Sequence, residues 1–192
     1  MSKKNEFRPD KPHVNWISRL YLTPLQRRNL LKWVLYALVL LALSLVQDVI
    51  LSGVRLFGAT TDLVPCGIFL ICLLEGVHTG SVFTLIAACL YVFSGSAPGN
   101  YCIVLITFLA VAITIFRQAY LQKGFFVAIL CGGVAVIAYE LLLFVIGAAL
   151  EYTLWSRLPG FLLTGILSII VLPALYPVCK AIGAIGGSLW KE

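Results

Sequence analysis

The sequence predicts an all-α protein, a polytopic membrane helical bundle of about six transmembrane helices. Of the 192 residues, 61% are hydrophobic and only 11% are charged, whereas soluble domains carry about 25% charged residues. The mean hydropathy is +1.01, and the apolar residues fall into long runs separated by short polar segments. Because so few charges cannot cover a water-facing surface, lipid and neighbouring helices must cover these runs.

The basic residues are concentrated at the N-terminus. Eight of the fourteen Lys and Arg residues lie within the first 32 positions. Basic segments beside a first span stay in the cytoplasm and attract anionic lipid. Residues 1–32 are therefore predicted to be a cytoplasmic tail that contacts anionic lipid. The tail lacks the fold and aromatic set of a nucleic-acid-binding module. No cleavage site follows the next apolar run, which is typical of an uncleaved signal anchor.

Within this tail, residues 1–30 admit two interpretations. Pro9, Pro12 and Pro24 favour a mobile tail. The stretch from Trp16 to Leu22, in which apolar residues surround Arg19, favours a helix that lies on the membrane surface.

The membrane domain is predicted to cover residues 33–182, followed by a short cytoplasmic tail at 183–192. Its apolar runs are 33–52, 63–75, 79–94, 101–119, 124–150 and 158–180. A straight span requires about 20 residues, so the second and third runs are short. They are either two tilted, partly buried helices or a re-entrant pair. The distribution of charge favours two helices.

With six spans and a cytoplasmic N-terminus, the basic residues divide unequally between the two sides. The eight N-terminal charges and Arg117, Lys123, Lys180 and Lys191 face the cytoplasm, and Arg55 and Arg157 face outside. This division satisfies the positive-inside rule. It places both termini in the cytoplasm and the outer loops at 53–62, 95–100 and 151–157.

Local signals agree with these boundaries. Asp62, with Pro65 in the first turn, predicts a helix start with Asp62 as the N-cap. Glu75 precedes the segment from Gly76 to Gly80, whose G-x-x-x-G spacing is either a simple cytoplasmic turn or a close helix approach.

No motif indicates an enzyme or a cofactor. The sequence lacks a phosphate-binding loop, a metalloprotease motif and a dinucleotide fingerprint. His13 and His78 are not spaced as metal ligands. The six cysteines form no C-x-x-C pair, and most of them lie in apolar runs, where Cys packs as a small hydrophobe.

Intramembrane polar residues are the remaining candidates for function, because they are costly in lipid. Glu140 lies in the middle of the fifth run. It either bonds to a neighbouring helix, contacts a partner or belongs to a transport path. Gln47 and Asp48 lie near the outer end of the first run, where interfacial capping or solvation is expected.

The order of these polar residues resembles a known family. The landmarks are Gln47-Asp48 at the end of the first span, Asp62 before the second, Glu75-Gly76, Tyr139-Glu140 and Tyr176-Pro177. Together they resemble the rod shape-determining protein MreD family over about residues 33–182. Thr61 stands where that family usually has proline.

This resemblance implies a non-enzymatic subunit of the cell-elongation complex in a bacterial inner membrane. Such a subunit binds the bitopic protein MreC. Through MreC it acts on MreB filaments and on wall synthases of the RodA and penicillin-binding class, and so supports rod shape and controls peptidoglycan synthesis. The resemblance makes Gln47, Asp48, Asp62, Glu75, Glu140 and Pro177 structural or partner-contact residues.

Two other functions are open at this stage. The fold of the family is similar to that of the substrate-binding subunits of energy-coupling-factor vitamin transporters, which gives an alternative function. A small channel or proton-coupled carrier would require a line of polar groups through the bundle. Only Glu140 is expected to lie deep.

Overall fold

The computed structural model describes residues 24–51, 59–122 and 124–185. These residues form six α-helices, in agreement with the predicted all-α class. The helices are α1 (Pro24–Leu45), α2 (Leu63–Glu75), α3 (Val77–Phe93), α4 (Tyr101–Tyr120), α5 (Phe125–Ala149) and α6 (Leu158–Ile185). A π-helical turn, Val46–Ile50, extends α1, and a short 3₁₀ turn, Trp155–Arg157, precedes α6.

Four of these helices are long and apolar enough to cross a membrane. They correspond to Gln26–Ile50, Tyr101–Tyr120, Phe125–Ala149 and Trp155–Ile185. The helices α2 and α3 are shorter, with 13 and 17 residues. They are joined through the single residue Gly76. Near the end of α3, Tyr91 bonds to Asp62 at the start of α2. The two short helices therefore form an antiparallel hairpin in which the end of α3 lies beside the start of α2.

The helix α2 is the centre of the bundle. Every residue from Leu63 to Leu74 is buried, and α2 packs against each of the other five α-helices described. A helix that is apolar on all sides is stable only when protein or lipid surrounds it. Because α2 is enclosed by protein, its stability does not depend on its being long enough to cross the bilayer.

The first helix begins earlier than its apolar run indicates. It starts at Pro24, so residues 24–32, which the sequence assigned to the tail, belong to α1. The basic residues Lys32 and Arg117 are both buried, with 3% and 4% exposure. The tail predictions for residues 1–23 and 186–192, and the charges Arg55, Lys123 and Lys191, lie outside the described residues.

The segment from Gly76 to Gly80 combines both predicted roles. Gly76 has φ +86°, which L side chains rarely adopt, so it makes the turn. At Gly80, a Cβ atom would lie 3.0 Å from the Cys72 carbonyl oxygen. Gly80 therefore allows α3 to approach the backbone of α2 closely, as G-x-x-x-G spacing permits.

Candidate functional site

Polar side chains gather at the two ends of α2. We call Gln47, Asp62, Tyr91 and Ser168 the Asp62 cluster, and Lys32, Tyr36 and Glu75 the Glu75 cluster. Hydrogen bonds or an ion pair join the members of each cluster. The sequence singled out Gln47, Asp62 and Glu75, and the other four residues were missed.

In the Asp62 cluster, Gln47 caps α2 from another helix. Its Oε1 atom accepts hydrogen bonds from the backbone N–H groups of Leu63, at 2.9 Å, and Val64, at 3.1 Å. Asp62 occupies the N-cap position, as predicted, but its side chain makes no capping bond. The first N–H groups of a helix lack partners within the helix. Here the acceptor for these N–H groups is Gln47, which lies 15 residues from Asp62 in the chain.

Asp62 bonds to three helices through its carboxylate and its backbone N–H instead of capping its own helix. Its Oδ1 atom accepts hydrogen bonds from Gln47 Nε2, at 2.7 Å, and from the Tyr91 hydroxyl, at 3.1 Å. Its backbone N–H donates to Ser168 Oγ, at 2.9 Å. The residues that bond to Asp62 therefore come from the end of α1, from α3 and from α6.

The Asp62 cluster is partly buried where α2 begins. Ser168 follows the first residue of α6, Leu158, by ten positions, which is about 15 Å along an α-helix. The start of α2 therefore meets α6 in its interior and not at its end. Backbone amides at this depth have little access to water, so the bonds from Gln47 replace hydration that they would otherwise lose.

Asp62 lies in the connection before α2, and burial raises its pKa to about 6. The hydrogen bonds from Tyr91 and Gln47 lower the pKa, and the nearby Asp48 raises it further. Since the folded state holds this proton more tightly than the unfolded state, stability falls as pH rises from about 4, the ordinary aspartate value, to about 6.

We expect Asp62→Asn to remove this part of the pH dependence. Both hydrogen bonds go to Oδ1, which an asparagine oxygen replaces. The measurement is the free energy of unfolding in bicelles between pH 4 and pH 7 for both proteins. If the free energy of unfolding changes with pH equally in the variant and the wild type, the pKa of Asp62 is the same in the folded and unfolded states.

The Glu75 cluster contains a buried ion pair. Lys32 Nζ lies 2.6 Å from Glu75 Oε2, and the two side chains are 3% and 2% exposed. The Tyr36 hydroxyl lies 2.9 Å from Glu75 Oε1 and 3.2 Å from the Cys179 carbonyl oxygen, and it can donate to either. The cluster therefore fastens the start of α1 to the end of α2 and to α6.

A signal for this cluster was present in the sequence. Lys32 and Tyr36 are four residues apart, so they share one face of α1. A basic and a hydroxyl group on one face of a helix can both bond to a carboxylate. The sequence does not show which acidic residue they meet, because Glu75 is 43 residues from Lys32.

Glu140 is buried but stands outside both clusters. Its side chain lies against Gly165 of α6, where a Cβ atom would be 3.5 Å from Glu140 Cγ. The residue is 3% exposed, and within the described part of the chain its Oε1 atom has no hydrogen-bond partner. The structure thus gives no support at Oε1 to the predicted alternative of a bond to a neighbouring helix.

The remaining two predicted residues lie on the surface. Asp48 is exposed and accepts hydrogen bonds from Ser44 and Ser96. Pro177 is exposed inside α6, which also contains Pro173. Within the described part of the chain, neither residue bonds directly to a member of the Asp62 or the Glu75 cluster.

The fold and the two clusters define the class of this protein as a multi-pass membrane helical bundle whose central helix is fastened at both ends. Among the described residues, no group of three His, Cys, Asp or Glu side chains could hold a metal ion. Comparisons with protein-family models, curated proteins and solved structures give no match.

Proposed function

We propose that this protein is a non-enzymatic membrane scaffold of the MreD type. In this proposal it lies in a bacterial inner membrane with both termini in the cytoplasm. It binds an MreC-like bitopic protein and through it supports rod shape and the control of peptidoglycan synthesis. The observation that supports the proposal most is the 2.7 Å bond between Gln47 and Asp62, because these are two of the landmarks on which the resemblance rests.

The polar landmarks have roles that suit a scaffold. Gln47, Asp62 and Glu75 bond to backbone or side-chain groups of neighbouring helices. Such bonds fix helices relative to one another. A subunit with this construction holds a constant shape in the membrane, which is what a protein that positions a partner requires.

The lateral surface offers apolar positions for a bitopic partner. Phe108 on α4 and Ile170 on α6 are 68% and 67% exposed, and Leu38 on α1 is 55% exposed. Helices associate in membranes through close packing of such faces. In the proposed complex, the membrane helix of the MreC-like protein packs on one of them, and MreB filaments and the RodA and penicillin-binding synthases join through that protein.

The proposal is tested by photo-crosslinking in living cells. A photoreactive amino acid replaces Leu38, Phe108 or Ile170, one at a time, in the tagged full-length chain. After irradiation, the tagged chain is purified in mild detergent and its adducts are identified by mass spectrometry. We expect an MreC-like adduct from one face and not from the other two, since a single helix covers one face.

The vitamin-transporter alternative predicts different adducts. The observation that bears on it is the buried Glu140, whose Oε1 atom lacks a hydrogen-bond partner among the described residues. A membrane-embedded coupling subunit and its ATPases, recovered in place of an MreC-like protein, would overturn the scaffold proposal. So would the absence of any MreC-like adduct from all three faces of a folded, abundant chain.

A further inference from the structure

A groove lies between α1 and α3, on the side of the bundle away from α5. It has a volume of about 330 Å³. Leu41, Ile86 and Leu90 line it and are 58%, 55% and 62% exposed, so it opens on the lateral surface. Val64 and Ala87 lie at its base and are buried. Almost all of the lining is therefore apolar, as a surface that faces lipid requires.

The groove is as long as one leaflet of the membrane. On α3 it extends from Phe83 to Ser94, which is about 16 Å of helix, and the hydrocarbon core of one leaflet is about 15 Å thick. Toward the Glu75 end the groove is closed, because the Phe83 ring packs on Trp33, at 5.1 Å between centroids, and on Tyr36, at 6.0 Å.

These dimensions favour an acyl chain over a helix. A partner helix needs about 30 Å of surface to cross the hydrocarbon core and is at least about 10 Å wide. The groove is half as long and ends at the aromatic rings. An acyl chain is narrow, belongs to one leaflet and fits a groove of this length that aromatic rings close at one end.

The open end of the groove is polar and carries an exposed carboxylate. Ser44 and Ser94 line this end. Ser44 Oγ lies 3.2 Å from Asp48 Oδ2, Ser96 Oγ lies 2.9 Å from Asp48 Oδ1, and the Ser94 and Ser96 hydroxyls are 3.0 Å apart. Among the described residues, a headgroup held here meets hydroxyls and the Asp48 carboxylate, so a headgroup with a primary amine is complementary.

We propose that this groove binds one phospholipid with an ethanolamine headgroup, from the leaflet on the Asp62 side of the bundle. The acyl chain lies between α1 and α3, and the ammonium group donates hydrogen bonds to the Asp48 carboxylate. This inference does not depend on the scaffold function. It assigns a role in lipid binding to Asp48, which belongs to neither the Asp62 cluster nor the Glu75 cluster.

The test is native mass spectrometry of the full-length chain after exchange into phosphatidylethanolamine or phosphatidylcholine with the same acyl chains. We expect the wild type to retain one phosphatidylethanolamine with about tenfold preference, because an ammonium group donates charge-assisted hydrogen bonds and a quaternary amine does not. Asp48→Asn should lose the preference and keep the lipid. Ala37→Phe, which fills the groove from an exposed position, should lose both.

A matched variant controls for surface hydrophobicity and folding. Val104→Phe adds a phenyl ring at a lateral position of α4 that is 70% exposed and lies outside the groove, and it should retain lipid like the wild type. All variants are first shown to elute as folded protein. Equal lipid retention by Ala37→Phe and Val104→Phe would overturn the site. An unchanged headgroup preference in Asp48→Asn would overturn the role of the carboxylate.

Discussion

Replacing Lys32 with methionine is expected to lower the free energy of unfolding by about 3–5 kcal/mol, the cost of removing one partner from a buried ion pair. Methionine keeps the apolar stem but leaves the Glu75 carboxylate without its cation, in a site where Glu75 is 2% exposed. The measurement is reversible unfolding in bicelles, monitored by steric trapping or by a fluorescent reporter.

A second substitution separates the unpaired charge from other effects. Glu75→Gln removes the negative charge and leaves a side-chain oxygen as an acceptor for the Tyr36 hydroxyl, which now lies 2.9 Å from the carboxylate. We expect the double variant Lys32→Met, Glu75→Gln to recover most of the lost stability. If the double variant is as unstable as Lys32→Met alone, packing of Lys32 and not its charge is what stabilises this end.

Replacing Gln47 with leucine is expected to cost about 2–4 kcal/mol. The change removes the acceptor of the Leu63 and Val64 amides and the donor to Asp62. A buried N–H group left without a partner costs about 1–3 kcal/mol. Unfolding in bicelles measures the loss, and amide hydrogen exchange at Leu63 and Val64 locates it at the start of α2.

Two controls make this prediction specific. Asp48→Asn changes the neighbouring exposed residue and should alter stability by less than about 0.5 kcal/mol. Gln47→Glu keeps the acceptor but places a second carboxylate beside Asp62. Adding Asp62→Asn to Gln47→Glu restores one amide and one carboxylate. The double variant should therefore recover the free energy of unfolding that Gln47→Glu loses. A Gln47→Leu protein as stable as Asp48→Asn would contradict the proposed cap.

The polar landmarks divide by whether their partners are near in the sequence. Asp48 bonds to Ser44, four residues earlier, a contact that helical spacing on α1 makes foreseeable, whereas its bonds from Ser96, 48 residues away, depend on the packing. Gln47 was placed at the same interface, but its partners are the backbone amides of Leu63 and Val64, 16 and 17 residues away. Every residue except proline has a backbone N–H group, so the sequence does not show which of these groups a distant side chain will cap.

Two basic residues of the predicted charge distribution are buried in the tertiary structure. Lys32 and Arg117 were assigned to one side of the membrane as topology signals, and both are buried. Lys32 lies beside Glu75, and Gly76 packs near Gln118, which follows Arg117. The two basic residues are thus at the same end of the bundle, as predicted, but at least one of them is also part of the packing between helices.

By itself, the sequence determined the all-helical class, the approximate helix positions and the apolar runs that lipid or neighbouring helices must cover. These features depend on the number of apolar residues and on their spacing along the chain. The tertiary structure alone decided that α2 is the enclosed helix, that Gln47 caps it and that Lys32 pairs with Glu75. Helices covered by lipid and helices covered by protein are apolar alike, so only their packing identifies the central one and its partners.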